Sequence, residues 1–457
     1  MVSIGQTNME HEAGSSAPVP ALTSTPWGPA EELRARKLSP GPSNSRDAVA
    51  RNQRERLFGA MVAVVAKQGY ERTRVADILG LAGISRSAFY KHFQNKHECF
   101  LATLDALVAD AAWVVSKADL GGLPWEERLR TVFDAVIAMI LNQPAAARVW
   151  FVEIYSAGPE AVARAERMGD ALERLAADAL RGTPDRADMP SELIRAVLGG
   201  LRQIVQTRLR HERQHELPSL VPDLLAWALS YRIPQARLRR PRKPPPLPQA
   251  NPDPSEQRER IIAAVTEIVA EKGYVGMTIT EIAQRAAISL STFYAHFESK
   301  TDVFIAAIDD GERRLLETTL PVYRQATDWE SAVHDGLHAF FAFLTRNTAT
   351  ARLGGVDIFT AGALALERHE RSVQGFQMLL QPGYDAHPAT NPLAAEAVGG
   401  AIAALMYQQL RRKGPERLYQ VAPTATFLAL APFTGTERAC EVANEDWRPT
   451  KRPAGRG

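Results

Sequence analysis

Apolar residues recur at helical spacing along most of this chain. Leu57, Met61, Val64 and Val65 make one such face, and Ile261, Val265, Ile268 and Val269 make another. Each face stops at a Gly-Tyr pair, Gly69-Tyr70 and Gly273-Tyr274, where glycine serves as the usual helix stop. A short second helix follows each stop. In the later stretch Thr278 and Glu281 are spaced as a capping box; the earlier one has Arg74 and Asp77 there, so its cap is expected from Thr73 or is weaker. The small residues Ala82-Gly83-Ile84-Ser85 and Ala286-Ala287-Ile288-Ser289 then predict a tight turn and a serine cap for a third helix. Phe89 and Phe93, or Phe293 and Phe297, lie one turn apart on that helix and define its buried face.

The pattern continues in the same style. Leu101, Leu104, Leu107 and Val108 extend a fourth helix, and Leu129, Val132, Phe133, Val136, Ile137 and Ile140 make a fifth. Further amphipathic stretches run over 161–180, 193–209 and 220–231, then over 333–344, 363–380, 393–410 and 424–430. No strand-period stretch of useful length is present, so the fold class is all-α. Gly199-Gly200 and Gly399-Gly400 fall inside corresponding helices. Glycine costs roughly 1 kcal/mol in a helix interior, which points to close helix approach as the compensation.

The two opening stretches are copies. A shift of 204 positions lays Arg54–Phe100 on Arg258–Phe304 without a gap, matching Arg54, Arg56, Gly69, Tyr70, Ile84, Ser85, Ser87, Phe89, Tyr90, His92, Phe93 and Lys96, among others, with identical residues. Solenoid units run to roughly 20–50 residues, so this longer period reads as a duplicated domain. Two short helices joined by a small-residue turn form a helix-turn-helix, whose second helix fits the major groove of DNA.

Composition and charge refine this picture. At 457 residues and 45% hydrophobic content the chain can bury two or more cores, while a net charge of +2 does not by itself advertise nucleic acid. The copies differ, however: residues 51–100 hold nine Lys or Arg against four Asp or Glu, and residues 254–303 hold five against seven. The first copy is therefore expected to bind DNA more strongly, since phosphate neutralisation supplies most sequence-independent affinity. No run of 18 apolar residues suggests a membrane span and no secretory signal is apparent. Cys99 and Cys440, so far apart, suggest reduced thiols and a cytoplasmic protein.

The ordered set Gly-Tyr, Ala-(Gly/Ala)-Ile-Ser, Phe-Tyr-x-His-Phe and x-x-Lys, met twice, resembles the DNA-binding domain of tetracycline-repressor-type regulators. The resemblance implies a double-stranded DNA operator as partner and phosphate contacts from Tyr90, His92 and Lys96, and from Tyr294, His296 and Lys300. All are hydrogen-bond donors facing an acceptor-only group. Base reading falls to Arg86, Ser87 and Ala88 in the first copy and to Leu290, Ser291 and Thr292 in the second. Lys91 adds a cation where the second copy has Ala295, so the two half-sites are expected to differ.

The resemblance also implies that the last two helices of each half pack together within one chain as a pseudo-dimer, leaving further homo-oligomerisation open. The expected division is a disordered tail over 1–50, reading domains over 51–98 and 255–302, and helical regulatory domains over 99–232 and 303–435. A basic, proline-rich linker covers 233–254 and a disordered tail 436–457. Extended at about 3.1 Å per residue, the 21 residues from Ile233 to Asp253 span up to roughly 65 Å.

By the same resemblance the helical bodies take a small hydrophobic effector. Candidate pocket residues are Trp113, Phe133, Met139, Trp150, Phe151 and Tyr155, with Phe340, Phe341, Phe359, Phe376, Met406 and Tyr407; aromatics at helical spacing are more often core. No enzyme activity, metal or other cofactor is expected. Two alternatives stay open: a zinc-dependent hydrolase built on His211-Glu212-Arg213-Gln214-His215, and a helical protein–protein adaptor. His334 and His338 share the four-residue spacing on a helix that reads as core.

Overall fold

A computed structural model describes residues 24–39, 44–117, 124–181, 183, 185–247 and 256–448, with the side chains of 110–117 left aside. The first half holds α1 (Arg46–Gln68), α2 (Val75–Ala82), α3 (Arg86–His92) and α4 (Lys96–Lys117), then α5 (Trp125–Asn142), α6 (Pro144–Phe151), α7 (Pro159–Leu180), α8 (Ser191–Arg210) and α9 (Leu217–Ser230). The second half begins with α10 (Gln257–Gly276), α11 (Ile279–Arg285), α12 (Leu290–His296), α13 (Lys300–Gln325), α14 (Trp329–Arg346) and α15 (Thr348–Gly355). It ends with α16 (Ala363–Gln377), α17 (Gln381–Ala386), α18 (Ala394–Lys413), α19 (Ala422–Thr434) and α20 (Thr436–Ala443). The fold is all-α; the described strands are two residues each, Ser24–Thr25 (β1) and Gly28–Pro29 (β2). No single described helix is long and apolar enough to cross a membrane.

The duplication runs further than residue identity shows. Gly158 and Gly362 keep the 204-position shift, and both open a helix, α7 and α16, from the same left-handed backbone, with φ 92° and 88°. Tyr155 and Phe359 keep it too, and their rings face each other at 5.6 Å. Equivalent residues that touch each other mark an approximate twofold axis between the halves.

Around that axis α8 and α18 pack antiparallel. Arg195 meets Gln408, Gly199 meets Ala404, Gln203 meets Gly400 and Arg208 meets Glu396, one index rising as the other falls. The paired glycines make this approach feasible. A Cβ on Gly200 would strike the Ala397 carbonyl and come within 2.6 Å of the Trp227 ring, and one on Gly400 would strike the Gln203 side chain. Tyr231, just past α9, donates its hydroxyl to the Leu428 carbonyl of α19 at 2.8 Å, so all four expected helices share the interface. The chain is an intramolecular pseudo-dimer.

Three expected boundaries change. The tail placed at 1–50 is folded in part: β1 pairs with β2, Trp27 stacks 5.3 Å from Phe58, Leu33 is fully buried, and α1 already starts at Arg46 under a Ser45 cap. Arg56 holds this segment, its Nε donating to the Leu33 carbonyl at 2.9 Å and Nη2 to the Gly83 carbonyl at 2.9 Å. The C-terminal tail placed at 436–457 begins instead with α20, whose Ala439, Cys440 and Ala443 join the second core, and Trp447 is buried 5.9 Å from His338. In the linker, residues 233–247 lie along the body: Arg239 pairs with Asp446 and Arg240 with Glu192, each at 2.6 Å, and Arg346 donates to the Pro245 carbonyl. Residues 1–23, 40–43, 248–255 and 449–457 of these segments lie outside the described residues. Cys99 and Cys440 are both buried and unpaired.

Candidate nucleic-acid interface

Each head sets its third helix by the same local means. Ser85 and Ser289 cap α3 and α12, accepting the backbone N–H of Ala88 and Thr292 at 3.3 and 3.0 Å. The preceding turn needs a left-handed residue. Gly83 supplies it at φ 61° without cost, whereas the second head uses Ala287 at φ 52°, a conformation that costs a non-glycine residue roughly 1–2 kcal/mol. Phe89, Phe93, Phe293 and Phe297 are buried as expected and fix the opposite helix face outward. The first head's second helix is capped differently from the expectation. Asp77 accepts the Arg74 backbone N–H at 3.0 Å, while the Thr73 hydroxyl donates backward to the Gly69 carbonyl. Thr278 caps α11 at 3.3 Å, but Glu281 turns to Lys272 at 2.6 Å.

The outward side chains sort into two groups. Arg86, Ser87, Tyr90 and Lys91 are exposed and Ala88 is half-buried; in the second head Leu290, Ser291 and Tyr294 are exposed and Thr292 is half-buried. These face solvent and are free to meet a groove. His92 and Lys96 are already engaged. His92 Nε2 lies 2.8 Å from Gln53 Oε1, so that nitrogen carries the proton and donates; burial first, then Arg54 and Lys91, push its pKa below the usual imidazole value. Lys96 donates to the Tyr70 carbonyl at 2.8 Å with its ammonium 4.1 Å from the Tyr70 ring centre. In the second head His296 lies 3.4 Å from Gln257 and Lys300 lies 4.4 Å from the Tyr274 ring, but Lys300 donates to the Val275 carbonyl at 3.4 Å. The recurring His therefore ties the reading helix to α1 or α10, and the recurring Lys ties the start of α4 to the loop after α1 and the start of α13 to the end of α10, contacts that their sequence spacing does not reveal.

The charge contrast between the copies is structural as well as compositional. Arg285 in the second head is paired with Glu271 at 2.6 Å and Lys272 with Glu281, and Leu290 stands 47% exposed where the first head presents Arg86.

Each head is docked on its body by a buried carboxylate that sequence reasoning does not pick out. Glu153 accepts the Tyr70 backbone N–H at 3.1 Å with Arg148 at 4.0 Å, and Asp357 accepts the Tyr274 backbone N–H at 2.9 Å with Arg352 at 3.9 Å. Both carboxyl groups have pKa values raised by burial, against the pull of those hydrogen bonds and arginines. The four residues keep the 204-position shift, which is the signal that could have found them.

The residues expected around an apolar pocket pack against neighbouring side chains. Phe359 sits among Tyr155, His369 and Tyr407 at 5.6, 4.8 and 5.4 Å, Phe340 contacts Phe341 at 5.1 Å, and Tyr155 and Phe341 are buried. Phe133, Phe376 and Met406 pack against the second core, Trp150 against the first, and Phe151 against a smaller cluster; Met139 is half-buried. The Trp113 side chain lies outside the described residues. Among the described residues lie a charged surface groove of about 590 Å³ along α13 and a polar crevice of about 250 Å³ between the halves, and none of these pocket candidates lines either.

The His211–His215 motif does not form a metalloprotease helix. Helix α8 ends at Arg210, Glu212 takes φ 58°, and His215 lies within a separate 3-10 turn over Gln214–Glu216, so the imidazoles do not share a helical face. His211 Nε2 instead faces Glu370 at 3.0 Å. His334 and His338 are both buried in the second core, as their helix suggested.

Comparison with known proteins fits this geometry. The family model described as "Bacterial regulatory proteins, tetR family" matches twice, at residues 59–103 and 261–307. The N-terminal domain described by that model is thus present in duplicate. Among curated relatives it is 29% identical over 98 residues to the HTH-type transcriptional activator FasR of Mycolicibacterium smegmatis, covering 21% of this chain and 45% of that protein. It is 43% identical over 58 residues to the HTH-type transcriptional regulator TtgR of Pseudomonas putida, covering 13% and 28%. The chain thus spans about half, or less, of the length of the curated relatives it matches. Among solved structures, the fatty acid degradation regulator FadR from Bacillus halodurans overlays with a TM-score of 0.36 at 16% identity, covering 42% of this chain and 97% of that one.

Proposed function

We propose that this chain is a sequence-specific, double-stranded-DNA-binding transcriptional regulator of the cytoplasm that carries both reading heads on one polypeptide. The observation that carries the reading is the recurrence, on the two sides of one intramolecular interface, of a serine-capped helix presenting an exposed Ser-x-x-Tyr edge: Ser87 with Tyr90, and Ser291 with Tyr294. Residues 51–98 and 255–302 are the heads and 99–232 and 303–435 the bodies, with the folded 24–39 segment added to the first head. Arg86, Ser87 and Ala88 read bases on one side and Leu290, Ser291 and Thr292 on the other. Tyr90, Lys91 and Tyr294 contact phosphates, and His92, Lys96, His296 and Lys300 position the helices that do so.

Occupying two half-sites excludes other proteins from that DNA, so repression is the direct outcome. A small molecule that binds the bodies better in a conformation with misplaced heads would release it, because adjacent major grooves on one face recur at roughly 34 Å and the spacing tolerates little error. Selection of bound fragments from random duplex DNA tests the reading. It should recover two unequal half-sites arranged as an imperfect palindrome. Recovery of no preferred sequence, together with an absence of salt-dependent binding, would transfer the fold to the adaptor reading.

A further inference from the structure

The two flanks of the pseudo-dimer interface have diverged in a way that leaves one of them open. The 204-position shift sets Glu166, Asp170 and Glu173 of α7 opposite Glu370, Gln374 and Gln377 of α16, so two of three carboxylates have become amides. On the α7 flank the carboxylates are consumed by ion pairs, from Arg195 within the first half and from Arg411 and Arg412 across the interface. Arg195 pairs with Glu173 and Asp170, Arg412 pairs with Asp170 at 2.7 Å, and Arg411 and the Tyr407 hydroxyl both reach Glu166 at 3.1 Å. That flank is closed.

On the α16 flank lies the crevice of about 250 Å³, walled by α8 of one half and by α16 and α18 of the other. Its charges cancel locally: Arg208 is held by Glu396 at 3.0 Å, and Glu370 by Arg210 at 3.2 Å and His211 at 3.0 Å. Glu370, Arg208 and Gln203 are each more than nine-tenths buried, which makes this a built site rather than a dip in the surface. What remains for a ligand is uncharged hydrogen-bonding capacity. Gln374 and Gln377 have no side-chain partner among the described residues, and Thr207 is bound only by a long 3.4 Å contact from Gln203.

We infer that this crevice is a binding site for one small, uncharged, polyhydroxylated molecule per chain. An apolar ligand would strand the amides without partners. A charged one would have to break an existing ion pair, whereas hydroxyl groups both donate and accept and match a set of amides and a hydroxyl. The volume lies just below the roughly 300–1,000 Å³ of drug-sized pockets, which suits a monosaccharide. Because the site spans both halves, its occupancy favours the conformation in which α8 and α16 stand at this separation. As a signal to the heads the site rests on the regulator reading, but its existence does not.

Equilibrium dialysis of the full chain, without DNA, against labelled glucose, ribose and glycerol tests it. At least one of the three should bind saturably at one molecule per chain. The double variant Gln374→Asp/Gln377→Glu, which restores the carboxylates of the closed flank, should weaken that binding at least tenfold. Thr207→Val, which keeps shape and removes the hydroxyl, should weaken it several-fold and guards against a misfolded double variant. No saturable binding of any of the three, binding of two per chain, or affinity unchanged in a folded Thr207→Val protein would overturn the inference. DNA affinity is measured in a separate titration, so loss of the regulator reading leaves this result interpretable.

Discussion

The carboxylate of Glu153 accepts the backbone N–H of Tyr70, 83 positions away, at 3.1 Å, and Asp357 does the same for Tyr274 across the same interval at 2.9 Å. Each contact joins a reading head to the body behind it at the glycine turn that ends the head's first helix. The half-buried Arg148 and Arg352 guanidinium groups stand beside these carboxylates, so removing a carboxylate leaves a backbone N–H without its acceptor and an arginine without its counter-ion. Glu153→Leu should therefore lower stability by about 1–3 kcal/mol, with Glu153→Gln, which still accepts a hydrogen bond, costing less. Chemical denaturation checks this; equal losses for the two variants would remove the hydrogen bond from the explanation.

Arg86 and Leu290 occupy equivalent positions at the start of the two reading helices. Arg86→Ala should cost about 1–3 kcal/mol of operator affinity and relax base preference in one half-site. Leu290→Ala should change affinity by less than about twofold, since it removes no donor. Lys91→Ala should weaken binding to all sequences alike and lower the salt slope by about one. Fluorescence anisotropy over a salt series reads all three, and equal effects of Arg86→Ala and Leu290→Ala would dispose of the asymmetry.

Much of this is legible in the chain. The serine caps, the buried Phe pairs and the glycine stops follow from spacing alone, because they are local. The helix-interior glycines point to close packing, and the Gly200–Gly400 approach supplies it. The head-docking carboxylates escape notice because Glu and Asp occupy the equivalent positions in a stretch where few identities survive. The 24–39 segment looks like a tail because its two apolar anchors, Trp27 and Leu33, carry no periodicity and are set among turn-forming residues. The role of His92 is hidden for a third reason: a donor looks the same in sequence whether it meets phosphate or Gln53.

Gly200 has no room for a side chain. Gly200→Val should destabilise by about 3 kcal/mol and impair DNA binding, since overpacking at α8 and α18 displaces the heads together. At Gly169 in α7 a methyl group would meet nothing within 4 Å, so Gly169→Ala serves as the matched control and should be neutral or stabilising by about 0.5 kcal/mol. Thermal melts paired with operator titrations separate the two, and a Gly200→Val protein with native melting would argue against the tight crossing.

His369 lies buried at the interface; its burial first, then Arg210 and Arg202, bring its pKa down from 6.5 to about 4. A lowered imidazole pKa means that the unfolded chain takes up protons first. Stability from this group is thus complete above pH 6.5 and is lost as pH falls toward 4. Between about pH 7 and pH 5 the loss should be roughly 2 kcal/mol in the native protein, and distinctly smaller in His369→Phe. Identical pH dependence in the two proteins, by urea unfolding, would rule this histidine out as the source.

On this reading one chain does the work of two subunits. Sedimentation equilibrium of the protein with its selected operator, at concentrations well above the dissociation constant, weighs the complex directly. One chain per duplex with both half-sites protected is the expected result. Two chains on a duplex of two half-sites, each using a single head, would contradict it.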